Sequence, residues 1–259
     1  MNNNFSLTRF KHLFNKQALE QYRTYLMSIG VLAGILAVLM GFVFYVSGNK
    51  IPLKVQGPIF LNFLILSGTI FTSMIFADLG DKKKAIPLLI LPVSHFEKYL
   101  VGWLYSFVIF LVVFVSVFYI IDFSYITLGN LKNPVKGELI NIFSKEEPIW
   151  FVFPVYAVLH SIFFLGALLF EKLHFIKTAF CFFIVLIVLT LLNYPLAKLM
   201  LNVDVDSAIP FASVGVKLSG QYWRIEPTPQ GSRIVMITIL VMAVILWVSA
   251  YFKLKEKEV

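Results

Sequence analysis

The residue with the most evident chemical capacity is His160, which sits mid-way along a long apolar run. An ionisable side chain in such a place is a candidate for substrate binding or proton transfer. The same imidazole can instead stay neutral and bond a neighbouring helix. No Asp, Glu or second His lies within any of the apolar runs to partner it, and the structural role is the preferred reading. The four histidines, His12, His95, His160 and His174, are far apart and lack metal-ligand spacing. Asp204-Val205-Asp206 resembles a fragment of a calcium loop without its glycine and terminal glutamate, which leaves a solvated turn. There is no G-x-x-x-x-G-K-[ST] phosphate cradle. Asn62, Thr69 and Ser73 share one helical face, either as the polar wall of a cavity or as interhelical hydrogen-bonding groups. No catalytic, cofactor-binding or metal-binding set emerges, and no enzymatic activity is expected of the chain.

The elements that would position these residues follow from composition. Of 259 residues 59% are hydrophobic and only 14% charged, with 27 phenylalanines; mean hydropathy is +0.85. Soluble domains carry roughly a quarter charged residues, so lipid is the expected solvent. The net charge of +8 does not indicate nucleic acid, because the basic residues cluster at the ends of apolar runs, where they meet lipid headgroups. Six runs approach the ~20 residues needed to cross a bilayer as helices: 25–46, 59–77, 99–121, 149–170, 178–197 and 234–252. None contains Asp, Glu, Lys or Arg. The expected fold is all-α and polytopic, with six transmembrane helices in a single domain. Lysine and arginine are more numerous on the side of the termini, which places both termini in the cytoplasm.

Residues 5–23 form an amphipathic segment. Leu7, Phe10, Phe14 and Ala18 share one face and Arg9, His12, Lys16, Glu20 and Arg23 the other, while Leu13 and Leu19 break the pattern. An interfacial anchoring helix is the expectation. In the first span Gly30, Gly34, Ala37 and Gly41 lie on one face suited to close helix packing. Pro154 predicts a kink in the fourth span. Glu171–Lys177 is a tight turn, and the outer segment 198–232 carries a candidate hairpin around Ser219-Gly220.

The stretch 78–98, DLGDKKKAIPLLILPVSHFEK, is a connection of a different kind. Asp81-Lys82-Lys83-Lys84 is a charged lip. Pro87 and Pro92 bracket Leu88-Leu89-Ile90-Leu91, too short to span and too apolar for water. Ser94-His95-Phe96-Glu97 has the form of a capping box and opens the third helix. That helix, read from Ser94 to Ile121, would project beyond the hydrocarbon, with Trp103 and Tyr105 near the headgroups.

This order of acidic residues, charged lip, Leu88–Leu91 with Pro92-Val93-Ser94, then Glu97-Lys98 and Gly102, resembles the cytoplasmic segment of ABC-2 type transporter permeases. The run from Ser161 to Gly166 through Lys172, Phe175, Ile176, Lys177 and Thr178 is similar to a poorly characterised group of that family. Where the family often has Glu-Arg and then Gly-Thr, this chain has Asp81–Lys84 and Ala85-Ile86. The resemblance implies six spans, an N-terminal elbow helix, a dimer with itself or a related permease, and an ABC-type ATP-binding subunit as separate partner. ATP and magnesium would be held by that partner, and no cofactor by this chain. The resemblance also implies that Asp81, Lys82, Lys83, Lys84, Leu88, Leu89, Pro92, Ser94, Glu97 and Lys98 form the coupling segment of an exporter. It places the chain, among membrane lipids and without nucleic acid, in a bacterial inner (cytoplasmic) membrane. A non-transporting scaffold or sensor, or an integral membrane enzyme acting on lipid, are the other classes open to the residues alone.

Overall fold

Lipid offers the peptide backbone no hydrogen-bond partner, so each apolar run must close its bonds within itself as a helix. The computed structural model describes residues 5–76, 93–134, 136–144, 151–218 and 220–257. It contains six helices long and apolar enough to cross a membrane: α1 (Leu7–Val46), α2 (Leu53–Met74), α3 (His95–Lys132), α4 (Val152–Leu169), α5 (His174–Leu201) and α6 (Pro229–Lys257). Helix α3 is interrupted by one π-helical stretch, Leu104–Ile109. The protein is an all-α polytopic membrane protein.

Several expectations change. The amphipathic segment is not a separate elbow, because α1 runs unbroken for 40 residues. Its buried side centres on Leu13, packed with Phe10, Phe14 and Ala18 against Val101 and Tyr105 of α3, while Leu7 stays exposed. Helix α3 continues past Ile121 to Lys132. Pro154 falls in the first turn of α4, where its missing N–H has no intrahelical partner to lose, so it need not kink the helix.

Helices α1 and α3 run parallel, side by side. Arg9 meets Glu97, the Phe14 carbonyl accepts from Tyr105, the Ala37 carbonyl accepts from Tyr125, and the Asn49 carbonyl accepts from Asn133. At 1.5 Å per residue both are close to ~60 Å long, about twice the hydrocarbon thickness. Tyr105, expected near headgroups, is instead buried against α1.

Helix α4 is the hub of the bundle. Two-thirds of its span (67%) is buried, against 6% for α5, which is left exposed along nearly its whole length. Helix α4 packs against α2, α3, α5 and α6. On the far side from the N-terminus, residues 136–144 fold back over α2 and α3. Gln56 donates to the Glu138 carbonyl and accepts from the Ile140 amide, and Tyr119 donates to the Ile140 carbonyl. Ile140 and Ile142 thereby join the core around Phe60, Phe114 and Phe118.

The segment after α5 holds an antiparallel sheet in the order β1 (Asp204–Ala208), β2 (Val214–Leu218) and β3 (Gln221–Ile225). The β2–β3 hairpin closes on the pair Leu218 and Gln221, at the place read from the sequence. Strand β1 was not anticipated. Asp204 and Asp206 belong to it rather than to a turn, and Asp204 pairs with Lys198 at 3.4 Å.

Close packing at α4 depends on Gly68 of α2. A Cβ there would overlap the Tyr156 ring and come within 3.0 Å of Phe110. At Gly30 of α1 a Cβ would meet nothing within 4 Å. Gly68→Ala is therefore expected to destabilise by about 1–3 kcal/mol. Gly30→Ala should be neutral or up to ~1 kcal/mol stabilising through helix propensity. Thermal unfolding of the two purified variants checks the contrast.

Candidate functional site

Two clusters along α3 join buried polar side chains from different helices. The first is at its start. Ser94 caps the helix by accepting from the Glu97 amide at 3.2 Å, and Glu97 accepts from the Ser94 amide at 2.9 Å. This is the capping box read from the sequence. The Glu97 carboxylate reaches further. Its Oε1 accepts from the Ser6 amide at 2.7 Å and from Arg9 at 3.1 Å. Ser6 is the N-cap residue of α1, whose own hydroxyl caps nothing. One carboxylate therefore serves the first amides of two helices. Glu97 is fully buried and Arg9 about one-third exposed, so the ion pair sits at the edge of the bundle. Lys98 and Ser94 are buried beside it.

The second cluster lies two to three turns further on, where α3, α4 and α6 meet. The Trp247 indole of α6 donates to His160 Nδ1 at 3.0 Å. An indole N–H can only donate, so Nδ1 is the acceptor and the imidazole proton sits on Nε2. Nε2 is 2.9 Å from the Ser106 hydroxyl, which donates onward to the Gly102 carbonyl at 2.8 Å. Tyr156 donates to the Ser106 carbonyl, and Tyr99 to the Trp247 carbonyl. Phe107, Tyr156, Phe164 and Trp247 surround the imidazole. Ser106 and Phe107 belong to the π-helical stretch, a local departure from α geometry often found where a helix serves a site. His160 is wholly buried with both ring nitrogens bonded. Its contacts to Ser106 and Trp247 tie α3, α4 and α6 together at this point.

The remaining sequence-derived residues divide. Asp81, Lys82, Lys83, Lys84, Leu88, Leu89 and Pro92 lie outside the described residues. Thr69 and Ser73 are buried, Thr69 bonding the Ile65 carbonyl of its own helix and the Ser73 hydroxyl finding no partner among the described residues. Asn62 is exposed and bonds the Pro58 carbonyl, so it does not join them in one wall. None of these three meets His160.

One residue escaped the sequence reading. Asp122 is wholly buried, and neither carboxylate oxygen has a hydrogen-bond partner among the described residues. It lies one residue beyond the apolar run 99–121. The signal was nonetheless present: Phe110, Phe114, Phe118, Asp122 and Ile126 recur every four residues on the buried face of α3.

No family model, curated protein or solved structure matches this chain. Among the described residues no group of His, Cys, Asp and Glu side chains could hold a metal ion.

Removing the Glu97 acceptor should unfasten two helix starts. Glu97→Ala is expected to cost about 2–4 kcal/mol, from two lost caps at ~1 kcal/mol each and one ion pair. At the second cluster Trp247→Phe keeps the ring but not the donor, and should cost about 0.6–1.7 kcal/mol. His160→Leu strands the indole N–H, while the Ser106 hydroxyl keeps its bond to the Gly102 carbonyl, and should cost about 1–3 kcal/mol. Thermal unfolding in detergent ranks the three.

Proposed function

We propose that the protein is the membrane-spanning subunit of an ABC-2-like exporter, working as a dimer with separate ATP-binding subunits. The observation that carries this reading is the Glu97 junction. It ties the N-terminal segment and the start of the third span into one unit, at the end of the 78–98 stretch whose residues resemble the coupling segment of such permeases. Six membrane-length helices among the described residues suit the same reading, because an even number of spans leaves both termini on one side, in this proposal the cytoplasm of a bacterial cell.

In this mechanism ATP and magnesium stay on the partner. Closure of two ATP-binding subunits pushes on residues 81–98. Because Glu97 links that stretch to α1, the push reaches α1 and α3 together, and the two helices move as a pair around a pathway near the dimer axis. The apolar run Leu88–Leu91 supplies the contact that the partner covers, since a short apolar segment left in water is unfavourable.

Co-expression with the products of neighbouring genes tests the proposal. A P-loop ATPase is expected to co-purify with the chain and to show vanadate-sensitive hydrolysis. Leu89→Asp should weaken that association by roughly tenfold or more, equivalent to ~1.4 kcal/mol, while leaving thermal stability unchanged. Recovery of a partner without a P-loop, or full retention of the ATPase by the variant, overturns the reading.

A further inference from the structure

Among the described residues two carboxylates are wholly buried, Glu97 and Asp122. Glu97 is bonded by two amides and a guanidinium. Asp122 has no hydrogen bond at either oxygen. An ionised carboxylate in that state has neither water nor a partner to offset its charge, whereas the neutral carboxyl is only a polar group.

The turn of about 100° per residue fixes what faces Asp122 on α3. Tyr125 and Gly129 lie to one side of it, toward α1. Tyr125 donates to the Ala37 carbonyl, and a Cβ at Gly129 would come within 2.8 Å of the Asn49 carbonyl. Tyr119 and Asn130 lie to the other side, under residues 136–144. Tyr119 donates to the Ile140 carbonyl, and Asn130 accepts from the Gly137 amide. One turn back, Phe118 meets Phe60 of α2. Gln56, one turn before Phe60, bonds residues 138 and 140 through both ends of its amide. Asp122 therefore sits where α1, α2 and residues 136–144 converge. The first two walls are membrane-length helices. The third is a short segment with neither helix nor strand, held by these few hydrogen bonds and by buried Ile140 and Ile142. It is the wall that can move without unfolding a span.

No charge is brought to the carboxyl. Tyr45 of α1, Lys50 of the following turn and Lys54 of α2 are exposed. So are Lys132 at the end of α3 and Lys136 and Glu138 of the covering segment. The Tyr119 and Tyr125 hydroxyls spend their protons on carbonyls. A hard metal ion takes about six oxygens, and among the described residues no group of side chains is assembled to hold one. A proton needs only the carboxylate itself. We propose that Asp122 is a proton-binding site and that residues 136–144 are its cover, closing over the neutral carboxyl and lifting when the proton leaves. The proton passes to water on the side of the membrane away from the termini. The closed form holds one proton more than the open form, so low pH favours closure and rising pH favours opening. This site belongs to the chain alone and needs no ATP-binding partner.

The full-length chain in nanodiscs, wild type beside Asp122→Asn, provides the test. Amide hydrogen exchange over 136–144, corrected for the intrinsic effect of pH, reads the cover. The infrared carbonyl stretch of a protonated carboxyl group reads the proton. Between about pH 5 and about pH 9, protection of 136–144 in the wild type is expected to fall by up to about tenfold per pH unit, the slope for one proton. The carboxyl band should fade over the same interval. Asp122→Asn keeps the shape of the neutral group, and is expected to stay protected throughout and to lack the band. Asp122→Leu, which has nothing to titrate, replaces it should the first variant not fold. Protection independent of pH in the wild type, the same pH dependence in a folded variant, or no band lost on substitution overturns the proposal.

Discussion

The Glu97 carboxylate has no water to turn to, so its surroundings must satisfy it. Its partners are the amides of Ser6 and Ser94 and the Arg9 guanidinium. Because those amides open two different helices, satisfying one buried charge also sets the register of α1 against α3. The later contacts, Phe14 with Tyr105 and Ala37 with Tyr125, then fall into place along two helices of nearly equal length. A slip of one residue at the start would misplace them all.

Helix α3 joins the parts of the bundle. One side of it carries α1, and the other meets α4 and α6. Its π-helical stretch lies where the second side begins, at Ser106 and Phe107. There the polar atoms are few and each has a partner: indole to imidazole, imidazole to hydroxyl, hydroxyl to carbonyl. Such a chain has one consistent arrangement of protons. It joins three helices in a medium where apolar contact alone does not distinguish helix from lipid.

The spans were legible in the sequence because lipid imposes a length and an absence of charge that few other structures share. The Ser94–Glu97 cap was legible because its spacing is local. Its second duty, capping α1, was not, since nothing in sequence joins residues 6 and 97. Hydropathy misplaced the ends of α1 and α3 for a related reason. It marks where lipid contact stops, whereas a helix continues wherever a neighbouring helix still covers it. Asp122 was lost by that rule, although its four-residue spacing from Phe118 kept it on the buried face. Strand β1 was missed because Asp204 and Asp206 read as a turn until Lys217 and Val216 are seen beside Asp204 and Val205, with Asp206 at the bulge between the paired residues.

The parallel course of α1 and α3 has an electrostatic consequence. Every peptide unit in both helices points its dipole the same way, so two positive ends, each worth about half a charge, are forced together. Side-by-side parallel dipoles repel, and lipid screens that repulsion poorly. Glu97 places a full negative charge between the two positive ends. At the opposite ends Lys132, in the last turn of α3, offers the complementary sign. The carboxylate thus serves both N-termini, while the basic residue in a last turn belongs to α3 alone.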